Sequence, residues 1–371
     1  MGLCSHCLNR VPPYCEGEPL MSAPEMSLPD AIIDCSHLGR KTTGIERITE
    51  ELFSDEALGG CQVVRLKASS IGGMLFQQWF GILYAALKYP KSLIITPGFP
   101  PSILATLLLK KRLVPYIHDV FLLTREQELN PRARYYMRPS FGFAVKRLNS
   151  FFVNSLKTKQ DLQQFCQSDA RIIMLRPQVR NVFALPHNSG RYNSVDLSKL
   201  KIVMLGTVEP RKNYTAAVAI FNALKQRLGD SIELHIVGRL GWGPDASLLQ
   251  NTAGVFCRGY LSAEEIKTLL DSATFYLSTS HDEGLGLPLL ELQYSGIAVV
   301  AAKIPVFAEV LGESGLLVDV SDAEQAAMQI IDFCSDTAQI QQQSELARQN
   351  IQRWNALAAA DKQAASVLFR E

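Results

Sequence analysis

The chain has 371 residues, about twice the usual size of one domain, so it has room for two cores. Hydrophobic residues make up 47% and charged residues 20%, the balance of a soluble protein with large cores. Lysines and arginines number 37 against 36 acids, a net charge of +1, which excludes the strong basic excess of a general nucleic-acid binder and leaves only local basic patches.

The first stretch holds Cys4, Cys7 and Cys15, with His6 inside the CxxC pair. A zinc knuckle needs a second ligand pair at fixed spacing, and none is evident, so residues 1–27 are expected to be a disordered leader. Residues 2–27 also lack the continuous apolar core of a signal peptide, which points to a cytoplasmic protein. From residue 31 onward, short apolar strands alternate with helical periods. Strands are expected at 31–35, 92–96, 114–118 and 151–154, and helices at 44–53, 101–111 and 156–165. The apolar run 71–87 is broken by Gly72, Gly73, Gln77, Gln78 and Gly81 and is short for a membrane span, so it reads as a buried or interfacial helix.

Residues 184–199 interrupt the alternation with Pro186, Asn188, Gly190 and Asn193, as a hinge does. Strands then follow at 201–205, 232–237, 255–257, 274–278, 298–301 and 316–318, with helices at 214–228 and 287–295. Ser262, with Glu265 three residues on, is a capping box opening another helix. The tail from 322 is helical. Buried strands between helices imply parallel sheets covered on both faces. The reading is α/β, with two facing doubly wound domains at 28–185 and 200–355, a linker at 186–199, and a last helix, 356–371, packing back on the first domain.

Ligands of such domains sit beyond the carboxyl ends of the strands. Three loops there carry charge or glycine. In the first, 39–44, Gly44 opens a helix whose free amides and dipole favour an anion, with Arg40 and Lys41 adjacent. An ordinary strand–helix turn explains that glycine equally well. In the second, 206–213, Arg211 offers a planar fork and Lys212 a point charge, both suited to phosphate oxygens. A solvated basic turn is the bland alternative. Opposed loops converging on one diphosphate explain both.

The third loop reads HDEGLGLPLLE over 281–291 and places Glu283 in a glycine-bearing turn. Glu291 lies one turn into the next helix among apolar residues, where an unpartnered carboxylate is costly. The cis-diol of a ribose offers it two hydroxyls. Stabilisation of an acid by the helix dipole is the alternative for Glu291, but it explains neither Glu283 nor the two glycines. His118 ends a strand facing the expected cleft, although a histidine there can simply satisfy local backbone groups. Trp242 between two glycines is more simply a packing residue than a stacking one, and His281 a loop-ordering one.

The glutamate pair Glu283 and Glu291 resembles the motif of family 4 retaining glycosyltransferases. GTVEPRKN at 206–213 resembles that family's diphosphate loop. VGRLGWG at 237–243 and EVLGESGLLVD at 309–319 are similar to its mannosyltransferase-like members, as are TGIER at 43–47 and IHD at 117–119. The resemblance implies the GT-B fold, two Rossmann-like domains with a cleft between them. It also implies a retaining, metal-independent hexosyltransferase, with no cofactor beyond a nucleotide-sugar donor, GDP-mannose by these motifs.

Position by position, it makes His118, Glu283 and Lys212 catalytic. Gly44, Arg211, Lys212, Glu291, Gly284, Leu285 and Gly286 then bind the donor: Lys212 and the Gly44 amide hold the diphosphate, Glu291 the ribose, and Glu283 and His118 the transferred sugar. Many relatives carry an arginine after the glycine that ends the first strand of the second domain. Here Thr207 stands there, and Arg211 is the candidate replacement. The acceptor implied is a glycan or lipid-linked saccharide in polysaccharide biosynthesis, with the run 71–87 and Lys110, Lys111 and Arg112 suited to peripheral membrane contact. A glycoside hydrolase would use the two glutamates as acid and nucleophile, but leaves Arg211 and Lys212 without a role. A nucleotide-sugar epimerase and an inactive GT-B scaffold are the remaining alternatives.

Overall fold

Strands that are apolar on both faces need helices on both sides, and this chain forms two such layered units. A computed structural model describes residues 29–39, 44–58, 60–185, 192, 194–241 and 245–369. The leader with its cysteines and His6, the pair Arg40 and Lys41, and Trp242 lie outside the described residues.

The first sheet contains β1 (Ala31–Asp34), β2 (Val63–Leu66), β3 (Leu93–Thr96), β4 (Leu113–Ile117), β5 (Ser150–Val153) and β6 (Arg171–Met174), all parallel, in the order β2-β1-β3-β4-β5-β6. The second contains β7 (Lys201–Leu205), β8 (Glu233–Val237), β9 (Val255–Gly259), β10 (Phe275–Ser278), β11 (Ala298–Ala302) and β12 (Leu316–Val318), in the order β12-β11-β10-β7-β8-β9. Numbered within its own domain and read from β9, this order is 3-2-1-4-5-6, the doubly wound arrangement of dinucleotide-binding domains. Its strand order reverses between β7 and β10. A ligand crevice is therefore expected where the loops leaving these two strands diverge.

The central strands match the sequence expectation because their residues are buried on both faces, as in β4 and β11. Edge strands β2 and β6 escape it. None of their residues is fully buried; Arg65 interrupts the apolar run of β2, and β6 has only the short run Ile172, Ile173 and Met174 after exposed Arg171. Ser262 and Glu265 form the expected capping box. Within the segment 71–88 the helix continues through a π-helical stretch, Gln77–Gly81, that holds three of the interruptions, Gln77, Gln78 and Gly81.

Tyr192, Val195, Leu197 and Leu200 join the second domain's core, and the Ala298 amide donates to the Tyr192 hydroxyl at 2.7 Å. Much of the expected linker is thus part of that domain.

The tail forms two helices, Ala323–Ser335 and Thr337–Ala365, broken at Asp336, whose carboxylate caps the second. That long helix runs from one domain to the other. Trp354 is fully buried and donates from its indole to the Pro177 carbonyl at 2.9 Å, Asp361 pairs with Arg176 at 2.7 Å, and Ala365 joins the core around Ile33 and Tyr116.

Candidate active site

The crevice at β7 and β10 is built by two loops that lock onto each other. The loop after β7 ends at Asn213, which takes the left-handed conformation (φ 53°) and caps the helix Tyr214–Leu228 through its side chain. The Thr279 hydroxyl, just past β10, donates to the carbonyls of Lys212 and Asn213 at 3.0 and 2.9 Å. The His281 amide donates to the Arg211 carbonyl at 2.9 Å, the loop-ordering place expected of that residue. Gly238 admits the close approach of a third loop, since a β-carbon there would lie 2.1 Å from the Gly206 carbonyl oxygen.

This frame brings Arg211, Lys212 and Glu283 together. Lys212 Nζ lies 2.5 Å from Glu283 Oε1, Arg211 Nη1 pairs with Glu283 Oε2, and the Ser280 hydroxyl donates to Oε1 at 2.9 Å. Burial alone raises a carboxyl's pKa, but Lys212 and Arg211 overcome it and hold Glu283 down at about 2. Glu283 is therefore held as an ionised carboxylate, a form that accepts hydrogen bonds.

Arg211 is engaged on every side. Its other arm meets Glu209 at 2.5 Å, Nη1 also donates to the Asp282 carbonyl at 3.2 Å, and the guanidinium lies 5.1 Å from the Phe121 ring centroid. Burial works against its charge, but Glu283, Glu209 and Asp119 outweigh it and raise its pKa further.

Glu291 stands apart from that cluster. It lies on the helix Leu287–Tyr294, which opens at Gly286 in the left-handed region (φ 84°) with Pro288 in its first turn. The carboxylate is 3% exposed and forms an ion pair with Arg47 of the facing domain. The partner that burial demands is thus the arginine of TGIER. Gly44, one turn earlier on the same helix, is exposed, and a β-carbon there meets nothing within 4 Å. Leu285 is core, so only its backbone can serve a ligand.

Gly284 does something the sequence did not show. Its carbonyl accepts from the Ser155 and Thr158 hydroxyls of the first domain at 2.6 and 3.1 Å, and a β-carbon on it would lie 2.0 Å from the His118 carbonyl oxygen. Lys157 pairs with Asp282 at 2.9 Å across the same seam. Glu309, from the EVLGESGLLVD segment, caps the first-domain helix Leu156–Gln163 through the Leu156 and Lys157 amides at 2.9 and 3.2 Å. Ser155 is also the N-cap of that helix, so one hydroxyl serves both the cap and the seam.

His118 follows β4 and directs Nε2 to the Pro97 carbonyl at 2.7 Å. Burial lowers its pKa to about 4, with the Pro97 contact opposing, so the ring is neutral. It lines a cavity of about 230 Å³ with Phe99, Pro100, Asp119, Phe121 and Met137. Asp119 is pushed up to about 6 by burial, although the Phe121 amide and Arg211 draw it down. Sequence reasoning assigned no role to Asp119.

Residues 191–353 match the family model described as glycosyl transferases group 1. The chain carries a glycosyl transferases group 1 domain. The crevice residues Lys212, Glu283 and Glu291 all fall inside it. Over 137 residues the chain is 29% identical to O-antigen chain mannosyltransferase B of Escherichia coli, covering 36% of each protein. Over 135 residues it is 30% identical to the serotype-specific mannosyltransferase WbdA of the same organism, covering 35% of this chain and 16% of that one. These matches span about a third or less of the curated relatives' own length.

Solved structures extend the likeness beyond the group 1 domain. WaaG, a glycosyltransferase involved in lipopolysaccharide biosynthesis, superposes with a TM-score of 0.66 at 16% identity, over 91% of this chain and 99% of that one. Anabaena Alr3699/HepE in complex with UDP and glucose gives 0.65 at 16% over the same shares. At such identities the likeness is one of fold, and the fold is GT-B.

Proposed function

We propose that the protein is a retaining glycosyltransferase that moves mannose from GDP-mannose to a glycan or lipid-linked acceptor in polysaccharide biosynthesis, without a metal or other cofactor. The observation that carries this reading is the meeting of Lys212, Arg211 and Glu283 at the strand-order reversal of the group 1 domain, with the buried carboxylate Glu291 on the adjoining helix. The relatives named as mannosyltransferases support the sugar. A diphosphate entering the crevice competes with Glu283 for Lys212, and the ribose hydroxyls compete for Glu291.

In the transfer, the bond from the sugar C1 to the diphosphate oxygen breaks as the acceptor oxygen bonds to C1 on the same face. The acceptor proton passes to the departing phosphate. Lys212 stabilises the negative charge that grows on that leaving group. Ionised Glu283 and neutral His118 bind and orient the sugar's hydroxyls, and neither is the nucleophile.

The acceptor side lies in the first domain, where the cavity beside His118 is mainly apolar. It shares Phe99, Pro100 and Met137 with a narrow gap reaching Trp79 and Tyr136. From there the helix 71–88 leaves Tyr84 and Leu87 70% and 81% exposed, and Leu107 and Leu108 are exposed as well. Among the described residues no helix is long and apolar enough to cross a membrane. This apolar face with Lys88, Lys110 and Lys111 suits a cytoplasmic protein resting on a membrane surface and taking an acceptor from it.

A thermal-shift panel of GDP, UDP, dTDP and their mannose or glucose conjugates tests the donor. Stabilisation selective for GDP and GDP-mannose is the expected result. Selective stabilisation by a uridine or thymidine nucleotide rejects GDP-mannose, and no response to any nucleotide rejects the transferase.

A further inference from the structure

Both carboxylates of the crevice are neutralised by cations, but from opposite sides. Glu283 takes its cations, Lys212 and Arg211, from its own domain. Glu291 takes Arg47 from the facing one. The Arg47 side chain remains 35% exposed while Glu291 is buried, so the arginine is the member of the pair that can leave without stranding itself. A ribose that takes Glu291 through its two hydroxyls displaces the guanidinium.

Thr207 occupies the position where the resemblance places an arginine. Arg211 is held by Glu209, Glu283 and the Asp282 carbonyl, so it has more contacts to give up than Arg47. Arg47 lies three residues beyond Gly44 on the helix Gly44–Phe53, roughly 5 Å along its axis. It is therefore one turn from the amide expected at the diphosphate.

We infer that Arg47 is a donor-binding residue with two positions: it neutralises Glu291 while the cleft is empty and turns to the nucleotide's diphosphate once a ribose takes Glu291. The first domain thereby furnishes the charge absent at Thr207. This rests on reading the cleft as a nucleotide-sugar site. The two ends of the nucleotide are then coupled through one side chain. A nucleoside without phosphates breaks the ion pair and gains nothing in return, whereas a nucleoside diphosphate regains a charge-assisted contact from the same guanidinium.

Calorimetric titration of the wild type, Arg47→Ala and Arg47→Lys tests this. The ligands are the best-binding nucleoside diphosphate among GDP, UDP and dTDP, and its parent nucleoside. Arg47→Ala is expected to weaken the diphosphate about 10-fold or more while leaving the nucleoside unchanged or tighter. Arg47→Lys, which keeps the charge but not the fork, is expected to recover part of that loss. Thermal melts of the unliganded variants check that both fold. Equal weakening of both ligands, or wild-type affinity for the diphosphate in a folded Arg47→Ala protein, overturns the assignment alone. A wild type that binds no nucleoside diphosphate overturns the reading of the cleft and this assignment with it.

Discussion

The two domains share an architecture but treat charge in opposite ways. In the second domain, β7 and β10 diverge around a dense cluster in which Glu283, Lys212, Arg211 and Glu209 satisfy one another. In the first, the ends of β3 and β4 border an apolar cavity whose ionisable lining residues, Tyr116, His118 and Asp119, are all pushed by burial toward their neutral forms. The difference separates two tasks. A nucleotide diphosphate needs fixed opposite charge, whereas an acceptor carried on an apolar group needs a dry surface with a few polar handles. The seam at Gly284, Ser155 and Thr158 holds these unlike surfaces against each other.

The sharpest way to break this contrast is to remove the charged side. Lys212→Ala is expected to lower the transfer rate about 100-fold or more, as loss of a leaving-group cation does. Near wild-type turnover in a folded variant, followed by donor consumption, would place the leaving group elsewhere. Next, Glu291→Ala should weaken nucleoside diphosphate binding by roughly 1.5–3 kcal/mol through lost hydrogen bonds to ribose. Calorimetry giving an unchanged constant removes the ribose from Glu291.

Gly284→Ala tests the seam itself. The new β-carbon meets the His118 carbonyl oxygen at 2.0 Å, so the domains must shift apart. A stability loss of about 1–3 kcal/mol in denaturant unfolding is expected, with transfer reduced alongside. A variant as stable and active as the wild type shows that the seam is not held as described.

The smallest effect belongs to the apolar side. The folded-state pKa of His118 lies below the ordinary histidine value, so the unfolded chain takes up the proton first. This group therefore reduces stability as pH falls from about 6.5 toward 4, with no further change below. Its ring resonances should stay in the neutral position between pH 7 and 5. A midpoint near the ordinary value means the site is wet.

Much of the charged side was legible in the sequence, because it lies in contiguous loops. Arg211, Lys212, Glu283 and Glu291 sit in two short segments whose neighbouring strands are apolar on both faces. What escaped were relations between distant segments. Arg47 was visible inside TGIER, but nothing in its neighbours says that it meets Glu291. Gly284 reads as a turn glycine, and only the approach of His118 shows why a side chain is excluded there. Glu309 lies in a familiar-looking segment, yet its work is to cap a helix of the other domain. The exposed helix 71–88 was left between burial and interface, since apolar composition alone does not tell a core face from an uncovered one.

The central claim is that one nucleotide bridges Lys212 and Glu291. Calorimetric titration of wild type, Lys212→Ala, Glu291→Ala and the double variant with the stabilising nucleoside diphosphate and its parent nucleoside tests it most directly. Lys212→Ala is expected to weaken the diphosphate and spare the nucleoside, while Glu291→Ala weakens both. Diphosphate affinity unchanged in both single variants, or an equal response of the nucleoside to the loss of Lys212, contradicts it.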